Sequence, residues 1–235
     1  MNPRKAITIT IAITMLSGCV TLGAISTPKP SYTPPVKQEF NRDLVLHEQT
    51  DHVWNRFLDN LSSSDFSIEH SDQATGLIML SVNSAQPEEY VDCGISYRSD
   101  NFAGQNREYS YQTAGMGTYS RTEPSAENVS LNVSTLVDRK TVLTSTAQIQ
   151  LSKIAESTQL SISIDYSLEV QLSGLSTEYK TWGMPLSESK VANTLENWAR
   201  FSTSTTANKK LNMEGVACVS KGVLEEAILG LAQPK

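Results

Sequence analysis

The chain has 235 residues, of which 39% are hydrophobic, and its formal net charge at pH 7 is −6. Its basic residues form only isolated pairs such as Arg139-Lys140 and Lys209-Lys210, so the chain lacks the basic stripe that nucleic-acid binding requires. The length allows one sizeable core or two small ones.

The first 18 residues have the pattern of a secretory signal. Arg4 and Lys5 precede an uncharged run over residues 6–15, which is too short to span a bilayer. The run closes on Leu16-Ser17-Gly18-Cys19, which resembles the lipobox of bacterial lipoproteins. The resemblance implies cleavage before Cys19 and acylation of Cys19. An ordinary signal peptide followed by an incidental cysteine is the alternative.

The residue after the lipobox cysteine carries information about the target membrane. In Gram-negative lipoproteins an aspartate at this position favours retention in the inner membrane, whereas this chain has Val20. The resemblance therefore implies a protein that is lipid-anchored in the outer membrane and faces the periplasm. No second long apolar run follows, so the lipid is the expected membrane attachment.

Two cysteines, Cys93 and Cys218, remain once Cys19 is acylated. In an oxidising compartment this pair predicts a disulfide, and two buried unpaired thiols are the alternative. The bridge would close a loop of about 125 residues, for which chain entropy gives about 4–5 kcal/mol as an upper value. Neither cysteine belongs to a Cys-x-x-Cys pair, which argues against a thioredoxin-like redox role.

A proline-rich stretch separates the lipobox from the expected folded part. Residues 26–37 contain four prolines in twelve positions. Proline fixes φ and removes a hydrogen-bond donor, so this stretch favours an extended, semi-rigid backbone. We therefore expect a tether over residues 19–40 and a single periplasmic domain over residues 41–235.

Helical spacing of apolar residues occurs near both ends of this domain. The first set is Val53, Trp54, Phe57, Leu58 and Leu61, and the second is Val223, Leu224, Ala227, Ile228 and Leu231. In each set the spacing of 0, 1, 4, 5 and 8 predicts an amphipathic helix. A short apolar run at residues 44–46 before the first helix and two strands after it, near residues 66–68 and 77–82, predict a β-α-β-β start.

The middle of the chain alternates between apolar and polar residues. From Leu160 to Leu172 every second residue is apolar, which predicts a half-buried strand. A similar alternation at residues 147–151 predicts its hairpin partner, and Val129, Leu131 and Val133 suggest a further strand before it. Residues 98–128 are polar and lack this pattern, so we expect mostly loop or weak strand there.

These elements predict an α+β fold in which two amphipathic helices pack on one face of an antiparallel sheet. Residues 188–200 are ambiguous, since residues 191–199 also fit a helix, but β-branched and aromatic residues favour strand from Trp198 onward. Val216 to Cys218 predict a short strand before the last helix.

No residue set in the chain matches a catalytic, metal or cofactor motif. His47-Glu48 starts the zinc-protease pattern His-Glu-x-x-His, but position 51 is Asp51. The other histidines, His52 and His70, do not share a helical face with His47. There is also no Gly-x-Ser-x-Gly nucleophile elbow. We therefore expect no catalytic site, no metal and no cofactor.

The segment at Trp182, Met184 and Pro185 is the candidate partner-binding loop, because an aromatic residue beside glycine and proline is typical of an exposed loop. Together these features favour a non-enzymatic lipoprotein of the outer membrane that binds a protein or an envelope polymer in assembly, secretion or envelope maintenance. A small hydrolase acting on envelope material is the alternative. It would need histidine, serine and a carboxylate in one concave site.

Overall fold

Strands make up most of the described chain. The computed structural model describes residues 31–102, 105–125, 131–180, 185–203, 207–211 and 213–234. Within them the elements in chain order are β1 (Ser31–Thr33), β2 (Asp43–Leu46), α1 (Thr50–Leu61), β3 (Ser67–Asp72), β4 (Leu77–Ser84), a 3-10 turn (Pro87–Glu89), β5 (Val91–Asp92), β6 (Ile95–Phe102), β7 (Gln105–Gln112), β8 (Gly117–Pro124), β9 (Leu131–Ile154), β10 (Ser157–Lys180), β11 (Pro185–Ser202), β12 (Ala207–Leu211), β13 (Met213–Ser220) and α2 (Val223–Ala232).

The hairpin of β9 and β10 lies at the centre of the largest sheet. Each strand has 24 residues, and the two pair antiparallel from the turn to their far ends. At about 3.3 Å per residue an extended strand of this length spans roughly 80 Å. The predicted alternation is confirmed, because Leu160, Ile164 and Leu168 are fully buried between exposed or half-buried residues. The separate strand suggested over residues 129–133 is instead the beginning of β9, within the described residues.

Two further strands lie along each edge of this hairpin. The sheet has the order β11-β10-β9-β4-β3, with β2 also paired to β10 and β8 also paired to β9. Near the hairpin turn β10 pairs with β2, and beyond it with β11. Two smaller sheets have the orders β1-β6-β7 and β12-β13-β5.

Both predicted helices are present, and they pack against each other. Four α1 residues predicted on its apolar face, Val53, Trp54, Phe57 and Leu61, are buried. Polar side chains of α1 also bind the end of α2: Arg56 Nε donates to the carbonyl of Ala232 (3.0 Å) and Asn60 Nδ2 to that of Leu231 (2.8 Å). These bonds satisfy carbonyls that the last turn of a helix leaves without intrahelical partners.

The predicted α+β fold, with two amphipathic helices packed on one face of an antiparallel sheet, is wrong: the protein is mostly β. The described helices have only 12 and 10 residues. A helix rises 1.5 Å per residue, so α1 is about 18 Å long and covers only a fraction of strands that extend several times further. Most of the sheet is therefore stabilised by strand pairing and by the other sheets, and not by the helices.

Residues 98–128 were expected to be mostly loop or weak strand, and the described part of this stretch lies largely in the strands β6, β7 and β8 and not in loop. Its interior is aromatic and cationic. The Tyr111 and Tyr119 rings stack with centroids 5.7 Å apart, and the Arg98 guanidinium lies 4.3 Å from the centroid of Tyr119. Buried Arg139 on β9 donates to the carbonyls of Thr113 (2.6 Å) and Gly115. A core of this composition produces no apolar alternation in the sequence.

Candidate functional site

The predicted sites fall partly outside the described residues. Cys19, Trp182 and Met184 all lie outside them, while Pro185 is the exposed first residue of β11. No helix in the described ranges combines the length and apolarity needed to cross a membrane. Lipidation of Cys19 and the partner loop therefore stay predictions.

The predicted disulfide between Cys93 and Cys218 is confirmed. Both residues are buried, and their Cα atoms are 4.1 Å apart. Cys93 lies between β5 and β6, and Cys218 lies in β13. The bridge thus joins the β12-β13-β5 sheet to the start of the β1-β6-β7 sheet.

The chain enters the described fold beside this disulfide. Residues 31–33, expected to belong to the tether, form β1 and pair with β6. Tyr32 Oη lies 2.9 Å from the carbonyl oxygen of Cys93 and 3.0 Å from that of Ala217, and it accepts a bond from the Ala217 amide (3.1 Å). Burial is the main cause that raises the pKa of the Tyr32 phenol. We call this arrangement the Tyr32 clasp.

Only a glycine fits at position 94 beneath the clasp. Gly94 has φ +74°, and a Cβ atom there would lie 2.1 Å from the carbonyl oxygen of Thr33. Any larger residue would therefore be strained in itself and would push β1 away from β6.

A polar groove of about 650 Å³ lies on the sheet face opposite α2. Tyr166 donates to Glu225 of α2, so even-numbered residues of this part of β10 face the helix and odd-numbered residues face away from it. The side chains that face outward in the groove are Thr144 and Thr146 of β9, Asp165, Ser167 and Glu169 of β10, and Arg200 and Ser202 of β11. We call this surface the outer-face groove.

Strand register sets the charge pattern of the groove. Asp165 is opposite Ser202 and Ser167 is opposite Arg200, so Asp165 is diagonal to Arg200. Glu169 lies two residues beyond Ser167, after a register shift in this pair of strands. In the described part of the chain, Asp165, Glu169 and Arg200 form no hydrogen bond or ion pair, which leaves the three charged groups available to a ligand.

A buried network holds the floor of this groove. Between the outward residues, the Tyr166 and Phe201 rings point inward and stack with centroids 5.1 Å apart. Fully buried Glu225 accepts bonds from Tyr166 Oη (2.9 Å), Thr203 Oγ1 (2.9 Å) and Ser220 Oγ (3.1 Å). These residues lie on β10, on and just after β11, on β13 and on α2, so the network joins two of the three groove strands, β10 and β11, to β13 and α2.

One histidine–serine pair is relevant to the hydrolase alternative. His47 Nδ1 lies 3.1 Å from Ser157 Oγ, within the range of a nucleophile and its base. The pair is exposed beside the hairpin turn, and no described carboxylate hydrogen-bonds to His47. The described residues also contain no group of three or more histidine, cysteine, aspartate or glutamate side chains placed to hold a metal ion.

Sequence analysis identified three of the seven outward side chains of the outer-face groove without identifying a function for them. The alternation in β10 placed Asp165, Ser167 and Glu169 on one polar face. Arg200 joins them only through the register between β10 and β11, and β11 lies in the stretch that fitted both helix and strand. Comparison with models of known protein families, with characterised proteins and with solved structures finds no match to this chain.

Proposed function

We propose that this protein is a lipoprotein of the bacterial outer membrane, anchored through acylated Cys19, and that its folded part is a non-enzymatic binding component of the periplasmic envelope. The observation that carries the proposal is the lipobox sequence Leu16-Ser17-Gly18-Cys19 at the end of an uncharged run. Several acyl chains on one residue give stable anchoring, since each buried methylene contributes about 0.8 kcal/mol.

The position of β1 supports a short tether. Between Cys19 and Ser31 the chain has only residues 20–30, which reach roughly 40 Å when fully extended. The folded part would thus work close to the inner surface of the outer membrane. Confinement near the membrane raises the effective concentration of partners held at the same distance from it, so even weak binding is enough to form a complex.

The surfaces available for binding favour recognition over catalysis. The outer-face groove offers charged and hydroxyl groups in a broad concave area, and the loop around Trp182 is a second candidate contact. The hydrolase alternative rests on the His47–Ser157 pair alone. That pair lies at an exposed turn and not in the groove, so we place the hydrolase second.

The anchoring proposal is tested by Cys19→Ala in the full chain. We expect the wild-type protein to carry fatty acyl chains on Cys19 and to sediment with outer membranes. The variant should stay unprocessed or be released, because the thiol is the acylation site. Mass spectrometry of the mature amino terminus and membrane fractionation measure both effects. A Cys19→Ala protein that matures and sediments like the wild type would disprove the anchor.

A further inference from the structure

Two exposed apolar side chains lie side by side on the outward face of the β1-β6-β7 sheet. Ile95 and Tyr97 are two residues apart on β6, so they point to the same side, and they are 39% and 40% exposed. Their neighbours across the paired strands on that face are polar and uncharged: Ser31, Thr33, Ser110 and Gln112. This part of the face therefore presents an aliphatic chain and a phenol among hydroxyl and amide groups.

The opposite face of the same sheet contacts the rest of the fold. Tyr32 forms the clasp on that side, and Ser96 Oγ lies 2.8 Å from Thr113 Oγ1. Since neighbouring residues of a strand point to opposite faces, these contacts fix Ile95 and Tyr97 on the outward face. Every side chain of β1, β6 and β7 is described, so the composition of this face is complete.

The register of β1 places this face where the tether joins the fold. Ser31, the first described residue, pairs with Tyr97, and only residues 20–30 separate it from Cys19. A chain of that length reaches roughly 40 Å when fully extended, whereas the β9–β10 hairpin is roughly twice as long. If Cys19 is acylated as proposed, the tether holds Tyr97 within reach of the lipid, while distant parts of the hairpin can lie well beyond that reach.

The chemistry of the face suits the headgroup region of a bilayer. A tyrosine there keeps its ring in the apolar layer and its hydroxyl in water, and an isoleucine beside it buries further apolar area. The outward face of these three strands has one charged residue, Glu108, and no lysine or arginine, so attraction to anionic lipid does not contribute. Two half-exposed side chains form a small contact, but the anchor supplies an effective concentration at which a small contact is enough.

We propose that Ile95 and Tyr97 rest in the lipid headgroup region of the membrane that holds Cys19, so that the outward face of the β1-β6-β7 sheet faces the bilayer. The inference rests on the proposed function, since the acyl chains on Cys19 bring this face to the membrane. The contact orients the folded part relative to the bilayer, which a tether alone does not do.

The test is site-specific photocrosslinking of the full acylated chain in vesicles of phosphatidylethanolamine and phosphatidylglycerol. Benzoylphenylalanine replaces Ser110, which is opposite Tyr97 on the outward face. In a second protein it replaces Ile154, an apolar residue that is 47% exposed at the hairpin turn. We expect lipid adducts, detected by mass spectrometry, at position 110 and not at position 154. The yield at position 110 should be the same in vesicles without phosphatidylglycerol.

Serine substitutions separate a real contact from mere closeness to the anchor. With the crosslinker at position 110, Ile95→Ser combined with Tyr97→Ser should lower the yield of lipid adducts about tenfold, because the apolar area that enters the interface is removed. The matched control, Ile154→Ser, should leave that yield unchanged. Thermal melts of all the variants report folding, and substitutions at these exposed positions should change the melting temperature little.

The inference is overturned if position 110 gives no lipid adduct in protein whose Cys19 is acylated, or if the yield persists after both serine substitutions. An adduct at position 110 to a second copy of the chain in place of lipid would also overturn it, in favour of a protein contact. Each of these results leaves the anchor intact. Absence of acyl chains on Cys19 would instead overturn the proposed function together with this inference, so the two failures are distinguishable.

Discussion

Glu225 is the most unusual residue in the described structure, because it is a fully buried acid that binds hydroxyl groups. Tyr166, Thr203 and Ser220 donate to it, and no described lysine or arginine lies within ion-pair distance. Its position in the first turn of α2 adds the favourable field of the helix amino terminus. A buried carboxylate is costly unless it is well hydrogen-bonded, so the three donors hold α2 on the sheet.

Tyr166, which donates to Glu225, makes the stability of the protein depend on pH at alkaline values. Burial, and next the negative charge of Glu225, raise the pKa of Tyr166 well above its ordinary value of 10. The unfolded chain therefore loses this phenol proton first, and the stability that depends on it is complete below pH 10 and decreases as the pH rises further. The loss can reach about 1.4 kcal/mol per pH unit.

We predict that Tyr166→Phe lowers the free energy of unfolding at pH 7 by about 1–3 kcal/mol, because Glu225 loses a donor. The variant should also lose less stability than the wild type between pH 10 and pH 11.5. Urea unfolding across this range measures both effects. Tyr97→Phe, at a side chain that is 40% exposed, is the control. An alkaline slope that is the same in Tyr166→Phe and the wild type would contradict the prediction.

At the scale of elements, the β9–β10 hairpin depends on a two-residue turn with an uncommon backbone. Ala155 has φ +52°, which costs a non-glycine residue about 1–2 kcal/mol. Glycine takes this conformation freely but loses more entropy on folding. We predict that Ala155→Gly stabilises the protein by about 0.5–1 kcal/mol, measured by denaturant unfolding.

The matched control for this turn is its second residue. Glu156 is next to Ala155 and does not have positive φ, so Glu156→Gly should be neutral or destabilising. If Ala155→Gly lowers stability as much as Glu156→Gly does, the positive φ of Ala155 does not limit the stability of the protein.

Elements with an apolar period could be predicted from the sequence, and those with a polar interior could not. Both helices and the alternating part of β10 follow from burial of apolar side chains at fixed spacing. The strands β6 to β8 were not predicted because polar and aromatic groups pair in their interior. Arg98 lies over the Tyr119 ring, and buried Asp100 accepts a hydrogen bond from Ser120. The prediction of an α+β fold failed for the same reason, since it omitted these strands.

The disulfide and its surroundings show the same limit. Cysteine parity after acylation of Cys19, together with an oxidising compartment, predicted the pair Cys93 and Cys218. In contrast, the neighbourhood of that bridge depends on Tyr32, a residue in a proline-rich stretch with no apolar period. Contacts made by single polar residues across long sequence distances leave no periodic signal.

At the scale of the whole molecule, the first described strand, β1, and the disulfide meet at one place. If Cys19 is acylated as proposed, force on that anchor would reach the described fold through β1, which has three residues paired with β6. The Tyr32 hydroxyl adds contacts to the carbonyls of Cys93 and Ala217, which lie on the two segments that the disulfide joins. The bridge therefore keeps together the two groups that the clasp must reach.

This coupling gives the last prediction. Replacing both Cys93 and Cys218 by alanine should lower the free energy of unfolding by up to about 4–5 kcal/mol, since the bridge closes a 125-residue separation. Tyr32→Phe alone should cost about 1–3 kcal/mol, because buried polar groups lose their partner. If the bridge positions the clasp, Tyr32→Phe should cost clearly less in the disulfide-free protein than in the wild type. Urea unfolding of the four proteins measures this coupling energy, and native-state hydrogen exchange of β6 amides locates it. Additive effects would mean that the clasp forms independently of the disulfide.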